Sequence, residues 1–139
     1  MPSTVQRESR SGDGDPPAVR ILAVDDHPAV REALGDLIAA TPEFVLVGVA
    51  CSGEEALRDV ARLSPQLVVM DVVMPGIGGI QAARTMVSTY PGVAILLISV
   101  DDPSGYLEEG DRSDRIACLR KQALSTDELS VAWGILNHE

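Results

Sequence analysis

Five polar residues scattered along the chain, Asp25, Asp26, Asp71, Ser99 and Lys121, share one context: each closes or closely follows an apolar run. A carboxylate at the end of a hydrophobic segment is costly to bury unless a charge sits against it. Three such carboxylates held together repel one another unless a cation lies among them. All-oxygen ligation with room for waters favours a hard divalent ion, magnesium first. With that ion in place Asp71 is an ionised oxygen nucleophile beside a Lewis acid, suited to attack phosphorus. Ser99 can donate a hydrogen bond to the transferred group, and Lys121 can pair with its charge. Taken singly, each residue has a plainer reading. The Asp pair before Pro28 caps a helix, Asp71 opens the turn Met74-Pro75-Gly76, and Ser99 and Lys121 sit in loops. The chemistry depends on whether the fold gathers them.

The elements that must position them are legible as alternating patterns. Val19 to Val24 is a short apolar run of the kind buried on both faces of a sheet. Pro28 then suits the first turn of a helix, with Leu34, Leu37 and Ile38 at helical spacing up to Ala40. Residues 44–50 read as a second buried strand. Ser52-Gly53-Glu54-Glu55 matches a capping box at the start of a helix that runs to Ser64-Pro65. Residues 66–70 form the third strand, 79–90 a helix with small inward residues, and 93–98 the fourth and most apolar strand. Residues 101–109 begin a loop and then a short fourth helix, interrupted by Gly105 and Gly110. Residues 116–119 are the fifth strand. Ser125 to Glu128 open a last helix with Leu129, Trp133 and Leu136 along its apolar stripe.

Five strand–helix alternations predict an α/β fold, a flavodoxin-like doubly wound five-stranded parallel sheet of order 2-1-3-4-5. Ligands of such sheets bind outside the carboxyl ends of the strands at the switch point. Strands one, three, four and five are neighbours in that order, so Asp25, Asp26, Asp71, Ser99 and Lys121 all face one cleft.

Composition bounds the function. The chain has 139 residues, enough for one core, and 45% of them are hydrophobic but only 3% aromatic, so the core is aliphatic. Against 11 Lys and Arg stand 21 Asp and Glu, a formal charge of −10. No basic stripe is available for direct nucleic-acid binding, and an anionic membrane surface would repel the domain. No apolar stretch is long enough to span a bilayer, and the first residues carry no secretory signal. Cys51 and Cys118 have no metal-binding spacing and are expected at opposite sheet edges, unpaired. The expected location is the cytoplasm. Residues 1–17, polar and rich in Gly, Ser, Asp and Pro, are expected to be a disordered tail before a domain spanning 18–139.

The sequence resembles a two-component response-regulator receiver domain over about residues 18 to 138. The resemblance is carried by Val24-Asp25-Asp26-His27-Pro28, Asp71-Val72-Val73-Met74-Pro75-Gly76, Ser99 and Lys121. Asp-Asp-His-Pro followed by Arg-Glu-Ala-Leu, and Gln rather than Pro after Lys121, are most similar to the nitrate-response and LuxR-type subfamily. The resemblance implies that Asp71 accepts a phosphoryl group from a sensor histidine kinase. It implies Mg2+ held by Asp26 directly, by Asp25 through water, and by Asp71 and the Val73 carbonyl. Ser99 and Lys121 would bind the phosphoryl group, and Asp101 would tune its loss. Phosphorylation would bias the face of the fourth helix, fifth strand and fifth helix, through which a homodimer could form.

Three departures set expectations apart from the family pattern. Cys118 stands where the family commonly has an aromatic switch residue, and the fourth helix looks irregular. The chain stops at Glu139, where members of this subfamily usually continue into a helix-turn-helix DNA-binding domain. The alternatives are therefore an interaction module that is rarely phosphorylated, or the receiver part of a DNA-binding regulator. A phosphatase or phosphotransferase would need a general acid, often an Asp two residues after the nucleophile. Val73 occupies that place, so the chain reads as a signalling protein and not an enzyme.

Overall fold

The computed structural model describes residues 18–111 and 113–137, so the expected tail at 1–17 lies outside the described residues. Five strands form one parallel sheet: β1 (Val19–Val24), β2 (Phe44–Ala50), β3 (Leu67–Asp71), β4 (Ala94–Ser99) and β5 (Ile116–Arg120). Their order is β2-β1-β3-β4-β5, the expected 2-1-3-4-5. Four α-helices connect or close them: α1 (Pro28–Ala40), α2 (Gly53–Leu63), α3 (Gly78–Thr89) and α4 (Thr126–Leu136).

The strand period of two divides the core between the faces. Leu22, Val24, Val68, Met70, Ile95 and Leu97 pack with Ala56, Val60, Ala82 and Met86 of α2 and α3. Ile21, Ala23, Val69, Leu96 and Ile98 pack with Leu34 and Ile38 of α1 and Leu129 and Leu136 of α4. β3 and β4 are buried at every position, which is why they read as unbroken apolar runs.

Local signals mostly match their elements. Ser52 accepts a hydrogen bond from Glu55 N at 3.0 Å, but the Glu55 carboxylate accepts from Cys51 N at 2.7 Å, one residue earlier than in a standard capping box. Ser125 caps α4 in the same way through Glu128 N at 3.0 Å. Two expectations need correction. β2 is not a buried strand: it lies at the sheet edge, with Val45 40% and Val49 46% exposed. The short fourth helix at 101–109 is absent. Its place is taken by two 3₁₀ turns, Pro103–Tyr106 and Glu109–Asp111. Asp102 captures Ser104 N at 3.1 Å and its hydroxyl at 2.8 Å, fixing a tight turn, and Gly105 and Gly110 each disfavour a helix by about 1 kcal/mol.

Candidate phosphoryl-acceptor site

The carboxyl ends of β1, β3, β4 and β5 converge as the topology requires. Asp25 follows β1, where its N–H continues the ladder to the Ala50 carbonyl at 3.1 Å. Asp71 ends β3, and the next residue, Val72, donates to the Ile98 carbonyl at 2.9 Å. Ser99 ends β4 beside Arg120 of β5, and Lys121 follows directly. Asp25, Asp71 and Ser99 are all buried.

Lys121 is the electrostatic centre. Its Nζ lies 3.0 Å from Asp25 Oδ2 and 3.3 Å from Asp71 Oδ2. Burial acts to lower the Lys121 pKa, but the two carboxylates outweigh it and hold the ammonium above its ordinary range. For Asp71 the balance falls the other way. Burial pushes its carboxyl up, against the opposing pull of Lys121 and of the Val73 N–H, which donates to Asp71 Oδ1 at 3.2 Å.

Asp25 Oδ1 accepts from His27 N at 2.9 Å. Asp25 Oδ2, although beside the ammonium, receives no hydrogen bond, nor does the buried Asp26 Oδ1. One ligating atom from each of Asp25, Asp26, His27 and Asp71 can be chosen so that all lie within 4.8 Å of one another. Buried carboxylate oxygens without donors, in a cluster of potential ligands, are what a hard divalent cation requires, so the residues fit such an ion.

A cavity of about 240 Å³ opens over this cluster, lined by His27, Asp71, Val73, Ser99, Asp101 and Lys121. The structure thus brings every predicted site residue to one end of the sheet. Val73 is there through its backbone, its side chain being mostly exposed.

The loop after Asp71 is held from two sides. Gly79, at the start of α3, approaches so closely that a Cβ there would lie 2.2 Å from the Asp71 carbonyl oxygen. Its N–H donates to the Val72 carbonyl at 3.0 Å. Gly76 has φ +82 and leaves room for the Glu54 carboxylate, which accepts from Ile77 N at 3.3 Å. Glu54 had no role in the sequence reading, because an acid in a first helical turn looks only like a partner of the helix dipole. His27 had none beyond its place in Asp-Asp-His-Pro. Its adjacency to two acids was the available signal.

Residues 21–132 match the model of the response regulator receiver domain. The chain belongs to the response regulator receiver domain family. It is 36% identical over 104 residues to the response regulator GacA of Pseudomonas viridiflava, a match covering 66% of this chain and 49% of GacA. It is 43% identical over 121 residues to a protein-glutamate methylesterase/protein-glutamine glutaminase of Geobacter metallireducens, covering 87% of this chain and 33% of that one. Among solved structures, a two-component response regulator of the LuxR family from Aurantimonas sp. superposes with a TM-score of 0.73 at 31% identity, over 84% of this chain and 83% of that one. The receiver domain thus spans about half the length of GacA and a third of the methylesterase. Among the described residues, no helix is long and apolar enough to cross a membrane.

Proposed function

We propose that this receiver domain accepts a phosphoryl group on Asp71 from the phosphohistidine of a sensor histidine kinase. The observation that carries this reading is the Lys121 ammonium seated between Asp25 and Asp71, with buried carboxylate oxygens left undonated beside it. An Asp71 oxygen attacks phosphorus, the P–N bond to the donor imidazole breaks, and the electron pair returns to that nitrogen. The product is an acyl phosphate on Asp71. Lys121 stands within reach of one new phosphoryl oxygen, and Ser99 lines the same cavity to donate to another. Asp25, Asp26, Asp71 and the Val73 carbonyl would hold Mg2+, which supplies positive charge against the phosphoryl oxygens. Asp101, at the cavity wall, is placed to affect hydrolysis of the product.

Residues 18–139 form the receiver unit in this reading, with residues 1–17 a tail outside it and the cytoplasm its site of action. The LuxR-family neighbour and the Asp-Asp-His-Pro motif favour the nitrate-response and LuxR-type subfamily, and with it a DNA-binding output region. A second reading, an interaction module seldom phosphorylated, is favoured by Cys118 at the usual aromatic position and by the two 3₁₀ turns in place of a fourth helix. A homodimer through β5, α4 and the 101–111 segment would draw on Val131 and Ile135, exposed along α4, and on Tyr106, exposed in that segment.

The test is to incubate the protein with acetyl phosphate and magnesium and resolve it on phosphate-affinity gels beside Asp71→Asn. The first reading expects a magnesium-dependent shifted band in the wild type and none in the variant. Folded wild type that never shifts would leave the second reading.

A further inference from the structure

His27 occupies the N-cap position of α1 but makes no capping hydrogen bond with its side chain. The ring turns back instead, placing Nδ1 3.3 Å from Asp25 Oδ1 and 3.2 Å from Asp26 Oδ1. One ring nitrogen of His27 and one oxygen from each of the three carboxylates lie within 4.8 Å of one another. Ligands on opposite sides of one ion stand about 4.2 to 4.5 Å apart at ordinary metal–nitrogen and metal–oxygen bond lengths. The set therefore needs to contract by only a few tenths of an ångström to share one ion. Two features point to a ligand beyond the clustering of charge itself. Asp25 is wholly buried, and its Oδ2, 3.0 Å from Lys121 Nζ, receives no hydrogen bond. Neither does Asp26 Oδ1, the atom 3.2 Å from His27 Nδ1.

An imidazole changes which ion such a site prefers. Carboxylate, carbonyl and water ligands suit magnesium, whereas imidazole nitrogen adds affinity for first-row transition ions. We propose that His27 is a fifth metal-ligating residue of this pocket, beside Asp25, Asp26, Asp71 and the Val73 carbonyl, binding through Nδ1 and shifting its preference from magnesium toward a first-row transition divalent ion. This rests on the divalent-ion reading of the same pocket given above.

Cobalt(II) is the probe, because it reports both affinity and ligation. The full chain is titrated with cobalt(II) in competition with magnesium, and the cobalt-loaded protein is examined by NMR for strongly hyperfine-shifted histidine ring protons. Wild type is expected to show those signals. His27→Ala and His27→Asn, the second keeping a polar residue at the helix start, are titrated with both ions in the same way. They should lose the shifted ring signals, and their preference for cobalt(II) over magnesium should fall by about tenfold. Cobalt-loaded wild type without those signals, or variants with unchanged preference, would overturn the proposal while leaving the carboxylate site standing. Wild type that binds neither ion would overturn both, and the titration shows this before any spectrum is taken.

Discussion

Two cation–carboxylate assemblies flank β4, and they are built to opposite ends. At the acceptor site Lys121 serves two buried carboxylates at once, and Asp25 Oδ2 still receives no hydrogen bond. In the 101–115 segment Arg84 of α3 grips Asp111 with both arms, Nε to Oδ1 at 2.5 Å and NH2 to Oδ2 at 3.0 Å, and Glu108 N adds a third donor at 2.9 Å. The pKa directions follow. Burial wins at Asp71 and pushes its carboxyl up, whereas the Arg84 side chain holds Asp111 down at about 2. A saturated ion pair has no capacity for a ligand and works as a clasp, tying an irregular segment to α3. An unsaturated one leaves charge and lone pairs free, as the proposed binding of a metal and a phosphoryl group requires.

The largest effect on this contrast should come from Lys121→Met, which strips the ammonium that faces the carboxylates of both Asp25 and Asp71. Uncompensated buried carboxylates cost about 3 kcal/mol, since the lysine is mostly but not wholly buried. Urea denaturation should show that loss, and magnesium should recover part of it. Gly79→Ala comes next. Its Cβ cannot fit against the Asp71 carbonyl, so overpacking should destabilise by about 2 kcal/mol and lower the yield of phosphorylated protein, read by the same melts and by phosphate-affinity gels.

Smaller effects separate the two assemblies by pH. Asp111, depressed in the folded protein, contributes stability that is present above the ordinary carboxylate pKa and is lost as pH falls from about 4 toward 2. Arg84→Ala should flatten that part of the stability–pH curve. Asp71 acts with opposite sign. Its raised pKa means the folded state binds more protons than the unfolded one, so metal-free stability falls as pH rises from the ordinary carboxylate pKa through the raised value. Asp71→Asn should remove that slope, and comparing the two variants across pH is the finest probe of the contrast.

The gathering of the candidate site residues was legible in the sequence because its physics is local and one-dimensional. An Asp at the end of a fully buried strand must face the strand-end cleft, and a parallel sheet of known order fixes which ends are neighbours. The segment from 101 to 111 was not, because its conformation depends on competition. Asp102 takes backbone and hydroxyl donors from Ser104, while Arg84 reaches Asp111 across 27 residues. No periodicity reports either contact. For β2 the reason is related: Val45 and Val49 are apolar residues of an edge strand whose side chains stay exposed, which their residue type does not report. His27 was visible as a letter in a motif, but only the direction of its ring joins it to the carboxylates.

The central claim is that Asp71 is the residue that becomes phosphorylated. Borohydride reduction of an acyl phosphate converts the modified aspartate to homoserine, which peptide mass spectrometry can locate. After treatment with acetyl phosphate and magnesium, homoserine is expected at position 71 and to depend on the metal. Homoserine at another aspartate instead, or none in folded protein, would contradict the account.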